Sequence, residues 1–252
     1  MNIPYIESEE IMTVAVIGSG NVATHLKKAF PDTINTILVN PRTLENLPSH
    51  SQVAVIAVKD SAVEEVARMV NGRADIIAHT SGSVPMSVLQ GQACGWGVFY
   101  PLQTFTKEVC LDYSEIPFFI EADSKETENI LTSLARHISD NVYIAGSEQR
   151  KQLHLASVFA CNFTNCLMGI SQEILKKSDI DFRVMLPLLR QTISKLSALT
   201  PVQAQTGPAA RKDYPVMNAH TEMLADNPEL QQIYRMLSDQ IIKNINNELN
   251  KL

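Results

Sequence analysis

The sequence predicts an α/β fold of the Rossmann type, a doubly wound parallel sheet followed by an all-α region. Three observations predict it. Short β-rich apolar runs alternate with amphipathic helical stretches as far as residue 146. A glycine turn, Gly18-Ser-Gly-Asn-Val-Ala23, separates the first such run from the first helical stretch. After Gly146 the strand signals stop and helical periodicity takes over. Near-continuous apolar strands need cover on both faces, which is the pattern of a parallel sheet between helices.

In chain order, TVAVI (13–17), NTILVN (35–40), QVAVIAV (52–58), ADIIAH (74–79), GWGVFY (95–100), PFFIEA (117–122) and NVYIAG (141–146) read as strands. Their β-branched and aromatic content suits a pleated, covered surface. Helical stretches between them are expected over 21–30, 61–70 and 124–139. Beyond the last strand, helices are expected over 148–177, 181–199, 214–225 and 227–250, with a Thr/Pro/Gly-rich joint over 200–208. This divides the chain into a nucleotide-binding domain over 1–147 and an all-helical substrate and dimerisation domain over 148–252. The last helix opens on Asn227-Pro228, an N-cap followed by proline at the first helical position. Leu230, Ile233, Leu237, Ile241, Ile245 and Leu249 then recur at three- and four-residue steps, a packing stripe and a candidate dimer contact.

Composition excludes several classes of function. Among 252 residues, 45% are apolar and the formal net charge is −6, enough for a core and wrong for a nucleic-acid surface, which needs clustered Lys and Arg. MNIPYIESEE has no basic region followed by an apolar run, so no secretory signal is expected. No run of about 18 consecutive apolar residues occurs, so no membrane span is expected and the chain reads as cytoplasmic. Cys94, Cys110, Cys161 and Cys166 form no CxxC pair and have no His at zinc-ligand offsets. They read as reduced, mostly buried small hydrophobes, with no metal site.

The glycine turn follows an apolar strand and precedes a helix, as a dinucleotide fingerprint requires. Gly18 permits the tight turn, Gly20 lets the backbone approach a pyrophosphate, and Ala23 lets the helix sit close to the strand. The unpaired N–H groups of Ser19, Gly20, Asn21 and Val22 and the helix dipole then meet negative charge. The bland alternative is a turn without a ligand. The end of the second strand favours the ligand. An NAD site places Asp or Glu there, whereas this chain reads Leu38-Val-Asn-Pro-Arg-Thr43. Asn40 suits a ribose hydroxyl, Arg42 offers a forked cation to a 2′-phosphate, and Thr43 adds a donor. NADP is the cofactor expected, against the alternative that Arg42 is a solvated loop residue. Two later strand ends, Ala57-Val-Lys-Asp60 and Ala78-His-Thr-Ser-Gly82, fall on the same edge of the sheet. There Val58 suits a ring, Lys59 a phosphate, and Thr80 and Ser81 a ribose or amide.

Residues 152–172, QLHLASVFACNFTNCLMGISQ, contain no Asp, Glu, Lys or Arg. At 100° per residue Ala156, Phe159, Phe163, Leu167, Ile170 and Ile174 form one stripe, with His154, Val158, Cys161, Asn162, Asn165, Gly169 and Gln172 opposite. A helix without charge all round is expected to be buried on all sides. Asn162, Asn165 and His154 then need partners, either backbone groups or a substrate and a nicotinamide amide. His154, about 12 Å along the axis from Asn162, is the candidate acid for a carbonyl that becomes a hydroxyl. Arg211 and Asp213 are read either as an ion pair or with Arg211 meeting a substrate carboxylate, and His220 as structural.

On Gly18–Ala23, Val39–Thr43 and Ala57–Asp60, the N-terminal half resembles the nucleotide domains of pyrroline-carboxylate reductase and deazaflavin-dependent NADP reductases. The runs Tyr100-Pro-Leu-Gln-Thr-Phe105, His154-Leu-Ala-Ser-Val-Phe-Ala-Cys-Asn162 and Thr206-Gly-Pro-Ala-Ala-Arg-Lys-Asp213 are similar to a family of NADP oxidoreductases. In that family a Rossmann-like domain precedes a helical domain of the 6-phosphogluconate-dehydrogenase C-terminal type. The resemblance implies a homodimer through the helical domain and a small-molecule substrate, with Tyr100, Gln103, Asn165 and Arg211 on the substrate side and His154 and Asn162 as catalytic candidates. This chain carries Tyr100 where the family usually has His, and Lys212 where it usually has Gly. Related hydroxyacid dehydrogenases place a catalytic lysine one turn before the asparagine, but Val158 stands there, so a lysine mechanism does not transfer. The expected function is hydride transfer between NADP(H) and a carbonyl, imine or flavin-like substrate; the alternative is a non-catalytic NADP(H) sensor.

Overall fold

The computed structural model of the protein describes residues 11–249; the MNIPYIESEE segment, residues 250–252 and the Leu249 side chain lie outside that description. Seven strands form one sheet: β1 Thr13–Ile17, β2 Asn35–Val39, β3 Ser51–Ile56, β4 Ala74–His79, β5 Gly95–Pro101, β6 Phe118–Ala122 and β7 Val142–Ile144. Their order is β2-β1-β3-β4-β5-β6-β7, with every pair parallel except β5 and β6. The order reverses at β1, so β1 and β3 bound the crevice where doubly wound sheets bind ligands.

Alternation along each strand explains the continuous apolar runs. In β1, Val14 and Val16 face one core with Leu26, Phe99 and Leu131, while Ala15 and Ile17 face the other with Ile56, Val66 and Leu89. Helix α1, Asn21–Ala29, and α3, Lys125–Arg136, cover the first face, and α2, Val63–Met69, covers the second. The Ser124 side chain caps α3 by accepting from the Thr127 N–H at 3.2 Å.

The chain divides into two compact units, residues 1–166 and 167–252. Strand signals end at residue 146, but the first unit runs 20 residues further because side chains of the next helix, α4 Ser147–Ser157, bond into the sheet's loops. After α4 comes a π turn, Val158–Phe163, and then α5, Thr164–Lys176. The remainder of the second unit holds α6 Leu186–Ser194, α7 Tyr214–Met223 and α8 Pro228–Leu249. Asn227 caps α8 as its sequence predicts, its Oδ1 accepting from Leu230 N–H at 3.1 Å.

Three expectations are corrected here. Residues 147–176 are not buried on all sides: Leu155 is 60% and Phe159 63% exposed, and the 30-residue stretch is long and apolar enough to cross a membrane by length and composition alone. Its stripe does not run straight either, because the π turn adds a residue to one turn and rotates the later positions relative to a 100° wheel. The cysteines are free but mostly exposed, Cys161 being half-buried.

Candidate active site

The glycine turn closes onto the end of β3. Gly18 N–H bonds the Val39 carbonyl at 3.0 Å, and a Cβ on Gly18 would lie 2.2 Å from the Ala57 oxygen and 2.9 Å from the Ala23 Cβ. Gly18 is therefore fixed by close packing of strand, strand and helix. Gly20 differs: a Cβ there would meet nothing within 4 Å. It is the N-cap of α1, with no side-chain cap and no acidic residue in the first turn, so the helix's N-terminal donors lack a protein acceptor among the described residues.

That open space belongs to a cleft of about 700 Å³ lined by Ser19, Gly20, Asn21, Val22, Arg42, Val58, Lys59 and Thr80, together with residues of α2. Most of the predicted cofactor residues thus share one cleft. Asn40 and Thr43 stand beside it and shape the Arg42 turn: Asn40 Oδ1 accepts from Arg42 N–H at 2.9 Å, and Thr43 Oγ1 from Glu45 N–H at 3.3 Å. Ser81 is not brought to the cleft lining; its buried Oγ accepts from Ser83 and Val84 N–H at 3.1 and 3.0 Å. Sequence reasoning missed the contribution of α2, whose Glu65, Val66 and Met69 also line the cleft. A helix packed on a sheet shows its core face in sequence, but not the few positions that reach the ligand edge.

A second constellation forms where β4 and β5 end. The Tyr100 hydroxyl lies 3.2 Å from His154 Nδ1, with the rings edge to face. Both rest on Gly82, where a Cβ would fall 2.6 Å from His154 Nδ1 and 2.9 Å from Tyr100 Cζ. Burial pushes the Tyr100 pKa above its usual 10; nearby Arg150 pulls it down, Asp60 raises it, and a bond with Ser157 lowers it. His79, fully buried at the end of β4, is lowered to about 4, first by burial and then by the Arg150 charge. Its Nδ1 accepts from Ser81 N–H at 3.1 Å.

Arg150 is the residue the sequence concealed. It sits in Ser147-Glu-Gln-Arg-Lys-Gln152, a polar run that reads as a solvated helix start, yet it is 0% exposed. Its guanidinium pairs with the Glu121 carboxylate and donates to the Ser81 carbonyl at 3.2 Å and the Val84 carbonyl at 2.5 Å.

Other predicted residues make none of these contacts. Gln103 is exposed and its Oε1 accepts from the neighbouring Thr104 N–H at 2.8 Å. Asn162, on the π turn, and Asn165 are exposed, with no side-chain hydrogen bond among the described residues. Arg211 is exposed and makes no ion pair with Asp213, which instead caps α7 through Val216 N–H at 3.4 Å. Lys212 has φ +55°, the left-handed conformation glycine favours. His220 Nδ1 lies 2.9 Å from the Tyr234 hydroxyl.

The family model described as "Domain of unknown function (DUF2520)" matches residues 116–241. The chain belongs to this family. The DUF2520 region begins just before β6 and so includes Glu121, Arg150 and His154, while the glycine turn precedes it. The chain is 39% identical to a protein of Bacteroides fragilis described as a "putative NADP oxidoreductase", over 94% of this chain and 100% of that one, with a TM-score of 0.85. An imine reductase of Streptomyces aurantiacus is similar at 13% identity, covering 92% and 94%, with a TM-score of 0.62. An imine reductase of Myxococcus stipitatus, in complex with NADP+, is 16% identical over 95% and 94%, with a TM-score of 0.52. These two share the fold alone. No curated protein matches the chain.

Proposed function

We propose that this chain is an NADP-dependent oxidoreductase that moves a hydride between NADP(H) and a small carbonyl, imine or flavin-like substrate. One observation carries the reading: Arg42 and the bare Gly20 turn line a single cleft, and the turn after β2 that holds Arg42 carries no carboxylate before Glu45. The Bacteroides fragilis relative supports it by its description.

The residues present fit the coenzyme. The N–H groups of Ser19–Val22 would hold the pyrophosphate, and a Gly20 side chain would fill their approach. Arg42 would bind the 2′-phosphate, with the free Asn40 amide and the Thr43 hydroxyl beside it. Lys59 would face a phosphate, and Val58 and Thr80 the rings and ribose. NADPH supplies the hydride when bound.

The accompanying proton comes from this chain. With the Tyr100 hydroxyl oxygen accepting from Nδ1–H, His154 in its imidazolium form would give the Nε2 proton to the substrate and, left as neutral imidazole, regain one from solvent. Tyr100 thus holds the orientation of the acid. Asn162, Asn165 and Gln103 are proposed substrate contacts. The exposed apolar side chains of Leu155, Phe159, Phe163 and Leu167 support a homodimer that covers them with a second copy.

The test is calorimetry with both nicotinamide coenzymes, then NADPH consumption against imino acids, 2-oxo and 3-oxo acids and deazaflavins. Heat with NADPH and turnover with one substrate class is expected. No heat with either coenzyme in either redox state overturns the reading. Val158 at the lysine position favours one alternative, an NADP(H) sensor, which tight binding without turnover on any compound would establish.

A further inference from the structure

We propose that Gly82 and Arg150 are positioning residues for the Tyr100–His154 pair. Arg150 locks the 81–84 loop onto the start of α4, and the bare Cα of Gly82 leaves the two rings the space in which they meet. The inference rests on the proton-delivery reading above for its consequence, but not for its geometry.

Each part of the seat comes from a different segment. Arg150 reaches the two carbonyls that bracket Gly82, those of Ser81 and Val84, at 3.2 and 2.5 Å. Its third arm pairs with Glu121 on β6. Ser147, at the start of α4, donates to the same carboxylate at 2.8 Å and lies 3.4 Å from the guanidinium. The guanidinium serves the two carbonyls and the carboxylate from three separate nitrogens; a lysine ammonium, whose three donors share one nitrogen, does not span the same positions. Ser83 donates to Asp60, so the loop is tied on its other side as well.

His154 stands four residues after Arg150 on α4, hence on the same face, and both turn toward the loop. The Tyr100 ring cannot easily retreat. Its backbone pairs with Phe119 in the antiparallel ladder, and its ring lies 6.4 Å from the Phe119 ring. A methyl group on Gly82 would overlap the facing atoms of both rings, within 2.6–2.9 Å. One must move, and the Tyr100–His154 bond breaks without either side chain or any cleft residue being altered.

The experiment is 15N NMR of histidine-labelled wild type and Gly82→Ala, with Tyr100→Phe as the reference for a broken bond. The Nδ1 resonance of His154 in Gly82→Ala is expected to match that of Tyr100→Phe, with the NADPH dissociation constant within about twofold of wild type. Turnover on any substrate found should then fall by about 100-fold, the scale of general-acid catalysis, with the NADPH KM unchanged. A wild-type Nδ1 resonance in Gly82→Ala overturns the proposal. Should Gly82→Ala fail to fold, Arg150→Lys keeps the charge and loses the fork, and the same Nδ1 change is expected; its absence overturns the role of Arg150. Full turnover in Tyr100→Phe, with the Nδ1 shift still following Gly82, sinks proton delivery and supports the positioning.

Discussion

The coenzyme cleft and the corner around Gly82 share one edge of one sheet, and they are built in opposite ways. The cleft is open and made largely of main chain: a glycine with nothing near its absent Cβ, an uncapped helix start, and exposed cations at Arg42 and Lys59. The corner is closed and made of side chains: a fully buried arginine, two rings pressed on a glycine, and a buried histidine held neutral. An edge that must admit a large anion keeps its donors unpartnered, whereas an edge that must aim two rings pairs the arginine that holds them with two carbonyls and a carboxylate.

The two glycines of the turn test the contrast most strongly. Gly20→Val should abolish NADPH binding, at least 100-fold or about 2.7 kcal/mol, while the coenzyme-free protein keeps its stability within about 1 kcal/mol. Gly18→Ala should instead lower the unfolding free energy itself, by about 3 kcal/mol, because backbone atoms must separate. Titration calorimetry and urea unfolding on both variants read this directly; equal behaviour of the two would erase the distinction.

The next effect belongs to the corner alone. His79 has a folded pKa of about 4 against an unfolded value near 6.5, so between those values the unfolded chain binds more protons. The neutral ring's contribution is complete above pH 6.5 and is lost as pH falls toward 4, by about 2–3 kcal/mol at pH 4.5. Protonation also removes the acceptor of the Ser81 N–H, so the 81–84 loop should loosen first. Urea unfolding at pH 7.5 and 4.5 measures it, and His79→Gln should flatten the dependence.

At the two cations of the cleft the effects are smaller. Arg42→Ala should weaken NADPH by about 2 kcal/mol, within the range for bonds to charged groups, and leave NADH nearly unchanged; equal losses for both refute the phosphate contact. Lys59→Ala, an exposed charge, should weaken both coenzymes alike by about 0.5–1 kcal/mol, an effect that shrinks with added salt.

The cleft was legible because its requirements are local. A strand, a Gly-x-Gly turn and a helix lie within 20 residues, and the next strand ends on Asn-Pro-Arg. The corner was half legible. His154 stood out by residue type and Tyr100 through the family resemblance, but their meeting joins positions 54 apart, and Gly82 carried no signal of its own. Glu148, Arg150 and Lys151 look alike in sequence. In the structure Glu148 and Lys151 pair with each other at the surface, at 2.8 Å, and only Arg150 is buried.

The sequence alone determined the layered α/β class, the position of every strand and the chemistry of the phosphate-facing edge, because hydrophobic period and turn residues act over a few neighbours. The antiparallel placement of β6, the π turn at Val158–Phe163 and the seat that brings Arg150, Gly82, Tyr100 and His154 together were decided only by tertiary packing. Which charged side chain is buried depends on which distant carbonyls and carboxylates surround it, and no local pattern carries that.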